Sequence, residues 1–176
     1  MVYQKAEVLQ LALADFVSHF PHLPFRSSLG AKEGSKTPAS AKATVGRLLS
    51  LSDQMERSAR STKQNIIEGW KRNSTSEYYQ FLGYAIASNA ELEADFTDIC
   101  KGIYESKGLK GILKGEEKAK WDDLESVPFY PLSSHLSLCL QLKLRAKELN
   151  FLLDKLQNSL LEKMKKEKTI STAEVI

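Results

Sequence analysis

The sequence predicts an all-α chain folded as an antiparallel, up-down four-helix bundle. Four long stretches repeat large apolar residues at three- and four-residue steps, the period of one helix face. No stretch carries a convincing strand pattern. The second and third stretches are joined by a short "NSTSE", and short joins make antiparallel neighbours.

The first helix is predicted over residues 2–20, with Val2, Ala6, Leu9, Leu13, Phe16 and Phe20 on one face. Pro21 and Pro24 then close it. Residues 27–46 are rich in Gly, Ser, Ala, Lys and Pro and nearly free of large apolar side chains. Such a stretch buries too little to offset its ordering entropy and reads as a flexible loop insertion.

The second helix is predicted over 47–71, with Leu48, Leu51, Met55, Ala59, Thr62, Ile66 and Trp70 as its core stripe. The third is predicted over 76–105, with Tyr78, Phe81, Ala85, Leu92, Phe96, Ile99 and Ile103 facing inward. Ser74 or Thr75 caps its start, and Glu77 occupies the first turn, as a capping box requires. Residues 106–131 are broken by Gly and Pro and hold a short amphipathic turn around Trp121. The fourth helix is predicted from Leu132 to Lys168, its buried side marked by Leu136, Cys139, Leu142, Leu149, Leu153 and Leu156. This defines one domain over residues 1–168, with 169–176 as a frayed tail.

Two helices carry a second apolar set. Leu49 and Ile67 lie about 120° from the centre of the second helix's stripe, and Tyr79 and Ile86 sit nearly opposite Phe81. The outer side of a lone bundle should be wet, so this pattern favours a homo-oligomer with these four residues at its interface.

Bulk properties are those of an ordinary globular chain. The sequence is 42% hydrophobic and 27% charged, with a net charge of +3. That balance permits an anionic partner without demanding one. Cys100 and Cys139 are far apart in sequence and lack metal-ligand spacing, so two reduced thiols near the core are expected. The N-terminal residues lack the apolar run of a signal peptide, and no run approaches the ~20 residues of a membrane span. The expected location is the cytoplasm.

Charge is unevenly placed. Residues 46–73 hold six cations against three acids, whereas residues 74–107 hold two cations against six acids. Arg57, Arg60 and Lys71 fall within about 60° on the second helix, away from its core stripe. With Lys63 and Arg72 beside them they form a candidate nucleic-acid-binding ridge, suited to phosphates through charge and counterion release. A solvated face paired with the acidic third helix accounts for the same spacing, and the sequence leaves both open.

Catalytic chemistry is not expected. His19, His22 and His135 have no ligand-like spacing, and no nucleophile triad, phosphate loop or dinucleotide turn is present. Glu91, Glu93, Asp95 and Asp98 lack the Glu-x-x-His partners of a di-metal bundle. Neither a catalytic residue, a metal nor a cofactor is predicted. Asn65, Glu68, Ser88 and Asn89 interrupt or flank apolar stripes and are expected to form an interhelix polar network, with Arg57 or Arg72 as counter-charge. Gly69 permits close helix approach or a kink.

The stretch "QMERSARSTKQNIIEGWKRNSTSEYYQFLGYAIASNAELE" resembles the signature of the four-helix-bundle proteins of intervening sequences in bacterial large-subunit ribosomal RNA genes. Arg57, Ser61, Asn65, Ile66, Glu68, Gly69, Arg72, Ser74, Glu77, Tyr78, Phe81, Leu82, Ala85, Ser88, Glu91, Leu92 and Glu93 match it in order. Ser58, Ile67 and Ala87 depart from it. The resemblance implies a bundle assembling as a homo-oligomeric ring, a homopentamer being the best-known form. It extends to the accessory variability determinant proteins of diversity-generating retroelements, which bind nucleic acid and partner a reverse transcriptase. It implies a non-catalytic RNA- or DNA-binding role, with a purely structural or protein-interaction oligomer as the alternative.

Overall fold

A computed structural model of the chain describes residues 1–18, 39–104 and 136–173. Four helices carry these residues: α1 (Val2–Ser18), α2 (Ala39–Trp70), α3 (Thr75–Cys100) and α4 (Leu138–Ala173). No strand occurs among the described residues. Each helix packs on its two neighbours around the bundle, α1 on α2, α2 on α3, α3 on α4 and α4 on α1. Cross-helix contacts run in opposite senses: Gln54 meets Asp95 while Ser61 meets Ser88, so α2 and α3 are antiparallel. Phe16 of α1 and Phe96 of α3 meet across the core at 6.1 Å, both near the C-terminal ends of their helices. Asn89 meets Ala146 while Tyr79 meets Gln157, so α4 runs antiparallel to α3 and the topology is up-down-up-down.

The core follows the predicted stripes over most of their length. Leu9, Leu13, Met55, Leu82, Leu92, Phe96, Ile99, Leu142 and Leu149 are buried. Two stripe residues are exposed instead. Trp70 is 76% exposed and Ile103 is 53% exposed. Both extend a helical period to where the helix stops packing, the last residue of α2 and the turn beyond α3.

The helix ends also differ from expectation. Residues 39–46, predicted as loop, are the first turns of α2. Ala39, Ala41 and Ala43 bring helix propensity without large side chains, which outweighs the lack of apolar bulk. Residues 27–38 lie outside the described residues, as does the whole of segment 106–131 with its Trp121 turn. α3 stops at Cys100 rather than at 105. The Gly102 amide donates to the Ile99 carbonyl, the Ile103 amide donates to Asp98, and Gly102 takes a φ of 81°, a Schellman close that glycine adopts without a Cβ penalty. α4 begins at Leu138, where the Ser137 hydroxyl accepts from the Leu140 amide. It runs on through residues predicted as frayed. Lys165 pairs with Glu162 at 2.8 Å, and the Thr169 hydroxyl donates to the Lys165 carbonyl. No described helix is long and apolar enough to cross a membrane.

Candidate nucleic-acid interface

α2 is 32 residues long, and its buried face is set by Leu48, Leu51, Met55, Ala59 and Ile66. The opposite face is therefore fixed in water, and it carries the cations. Arg57, Arg60, Lys71 and Arg72 are exposed and Lys63 is half-buried. Among the described residues none of the five pairs with a carboxylate. Intramolecular pairing with acidic α3 thus does not account for the ridge. The Arg57 Nε donates instead to the Asp53 carbonyl within its own helix, at 3.1 Å. Arg57 and Arg60 edge a cleft of about 430 Å³ shared with Gln10, Leu13 and Ala14 of α1. From Arg57 to the end of α2 the ridge spans about 20 Å of helix, with Lys71 just beyond.

At its lower end the ridge turns onto α3. The Lys71 amide donates to Ile67 and Glu68, and the Arg72 amide donates to Gly69, so the last turn tightens. Ser74 then caps α3 by accepting from the Glu77 amide. A Cβ at Gly69 would lie 2.7 Å from Phe81 Cβ and 2.8 Å from Tyr78 Cδ2, so close approach is the requirement that glycine meets. That approach lets the Arg72 guanidinium stack over the Phe81 ring, 4.7 Å from its centroid.

Trp70 is the site residue that periodicity misplaced. Its indole stands edge-on to Tyr78, with centroids 6.0 Å apart. Together they line an apolar groove of about 830 Å³ with Tyr3, Ile66, Ile67, Leu152 and Leu156, and with Lys71 and Lys155 as its cations. The signal in the sequence was position rather than spacing. Trp70 is followed at once by Lys71, Arg72 and a cap residue, so it stands where the helix ends.

The predicted polar residues divide. Asn65 and Ser88 are brought together through Ser61: the Asn65 amide donates to the Ser61 carbonyl and hydroxyl, and the Ser61 and Ser88 hydroxyls meet at 2.9 Å. Asn89 turns to α4 instead, where its fully buried amide donates to the Ala146 carbonyl at 2.7 Å. Glu68 is half-buried, and its carboxylate hydrogen-bonds to none of the described residues. The expected counter-charges do not reach this seam, since Arg57 bonds its own helix and Arg72 lies on Phe81. Further contacts along α2 and α3 went unpredicted: Gln54 to Asp95, and Ser58 to Glu91 at 3.3 Å. Asp95 is 7% exposed. Burial pushes its carboxyl up to about 6, with the neighbouring Asp98 adding to the rise and the Gln54 hydrogen bond opposing it.

Of the four residues predicted at an oligomer interface, Leu49 is 49% exposed and Ile67 lies in the Trp70 groove. Tyr79 and Ile86 are half-buried, Ile86 against the core. No three His, Cys, Asp or Glu residues come together as a metal cluster among the described residues.

The fold and site define an antiparallel helical bundle with an outward-facing row of cations along α2 and the turn that follows it. The sequence model of the family described as 23S rRNA-intervening sequence protein matches residues 39–103. That match covers α2, α3 and the turn between them, where the ridge and the polar seam lie. No curated protein and no solved structure matches the chain.

Proposed function

We propose that this chain is a non-catalytic, RNA-binding protein of the 23S rRNA-intervening sequence type, working as a homo-oligomer. The observation that carries the reading is a cationic ridge with no carboxylate partner among the described residues, which holds Arg57 and Arg60 in solvent on the α2 rod and Lys71 and Arg72 in the turn that follows it. Phosphates are its natural counter-ions. Trp70 and Tyr78, beside Lys71, add an aromatic face on which an unstacked base can lie, so single-stranded RNA fits the site better than duplex. A ring, with five copies the expected number, and a reverse transcriptase partner rest on the resemblance in the sequence. A reverse transcriptase gene beside this one is the observation that tests the partner.

The direct test is binding of a single-stranded RNA across a salt series. Affinity falls with salt for the natural chain, and Arg57→Glu, Arg60→Glu and Lys71→Glu together abolish binding while the oligomer persists in sedimentation. Unchanged affinity in that variant removes the physical basis of the reading. The groove beside Trp70 favours a second reading, a structural oligomer without a nucleic-acid role. An intact oligomer with no salt-dependent RNA binding decides for it.

A further inference from the structure

Cys100 is the last residue of α3 and Cys139 the second residue of α4. They are 39 positions apart in sequence, and their sulfurs lie 3.3 Å apart. Both are buried and both are thiols. They are also the only two cysteines of the chain, so neither has another thiol in the same molecule to meet. We infer that Cys100 and Cys139 form a modification site, a dithiol that a hydroperoxide converts to an intramolecular disulfide joining the end of α3 to the start of α4.

The chemistry is balanced by the two groups and one peroxide. One cysteine sulfur attacks a peroxide oxygen. The O–O bond breaks, leaving a sulfenic acid and releasing water from hydrogen peroxide, or an alcohol from an organic hydroperoxide. The second sulfur then displaces the hydroxyl as water, and the S–S bond forms. The dithiol loses two electrons and both thiol protons, and the peroxide takes them up. Closing the pair to a bond requires roughly 1.3 Å of approach.

Burial alone would make such thiols inert. These two differ because each sits at a helix terminus. α3 ends in the Gly102 close, and α4 starts from the Ser137 cap. Terminal turns open at lower free energy than the bundle centre, which gives the oxidant access without global unfolding. The cross-link lies at the opposite end of the bundle from Trp70, Lys71 and Arg72, so it holds the fold without touching the proposed RNA face.

The test uses the full chain, reduced and then treated with hydrogen peroxide. The expected result is loss of both titratable thiols, a single-chain band on a non-reducing gel, and a peptide pair joining Cys100 to Cys139 in mass spectrometry. Tm rises on the order of 10 °C and returns with reductant. Thiols that survive peroxide in the folded protein overturn the inference, as do sulfinic acids without a cross-link or disulfides between chains. In Cys139→Ser, peroxide leaves Tm unchanged. A rise in that variant traces the stabilisation to another residue and also overturns it.

Discussion

The Gln54 side-chain nitrogen lies 3.1 and 3.2 Å from the two carboxylate oxygens of Asp95, bridging α2 to α3. The donor is neutral, so the bond lowers the cost of the charge without cancelling it. Burial wins, and the carboxyl stays up at about 6 against its ordinary 3.8. The folded chain therefore holds a proton between about pH 4 and 6 that the unfolded chain has released. Stability from this group is present below about pH 4 and lost as pH rises through 6. Asp95→Asn removes the dependence. Denaturant titrations of both chains from pH 4 to 7 are expected to diverge by up to about 3 kcal/mol, the natural chain losing ground as pH rises.

Gly69→Ala sets helix propensity against space. Alanine gains about 1 kcal/mol in a helix. Its Cβ meets Phe81 Cβ at 2.7 Å, an atom fixed to the α3 backbone that no rotamer moves. Overpacking of this kind costs about 1–3 kcal/mol, so a net loss is expected, together with splaying of the α2–α3 turn. At Gly83 the added Cβ meets only the far end of Gln157, at 3.1 Å. Gly83→Ala is expected to be milder by about 1 kcal/mol or more, which paired thermal melts would measure.

Trp70→Ala separates core from surface. A buried tryptophan costs about 3–5 kcal/mol when truncated. At 76% exposure the expected loss is below about 1 kcal/mol, visible as a nearly unchanged denaturation midpoint. RNA affinity is expected to fall at least about fivefold, the low end for one stacked base. A large stability loss would return Trp70 to the core, as periodicity alone had it.

Asn89→Ala tests the link from α3 to α4. It removes a 2.7 Å hydrogen bond to the Ala146 carbonyl. It also removes a buried Oδ1 that has no partner among the described residues. The second effect offsets part of the first, so the expected cost is about 1 kcal/mol, at the low end for a buried bond. Urea titration with an unchanged m-value checks it.

The sequence makes the bundle legible because apolar spacing is a local, repeated signal. Leu51, Met55, Ala59 and Ile66 are buried where their period puts them. Period says nothing of where packing stops, and so Trp70 and Ile103 were placed inside. The ridge was legible for the same reason as the core, being its geometric complement on one helix. The polar seam was legible only in part. That Ser61 joins Asn65 to Ser88 depends on the register between helices, which no single helix encodes. Buried charges were illegible: Asp95 and Lys143 look like surface residues until their neighbours are in place. The cysteine pair is the extreme case, since 39 positions of chain separate two sulfurs that touch.

The α2–α3 seam has a further consequence. Gln54 with Asp95, Ser58 with Glu91, and Ser61 with Ser88 are donors facing acceptors at fixed partners, and Gly69 faces Phe81 with no room to spare. Such a seam works like a lock with one key, because sliding by a single turn leaves every pin misaligned. The α4 face is mostly leucine, which another leucine or a methionine can replace with little loss. Side-chain pairs thus run the length of the α2–α3 seam, whereas α4 joins α3 mainly through apolar packing, with Asn150 to Glu93 and Gln157 to the Tyr79 carbonyl among its polar links. That seam lies wholly within residues 39–103, the span that the family model matches.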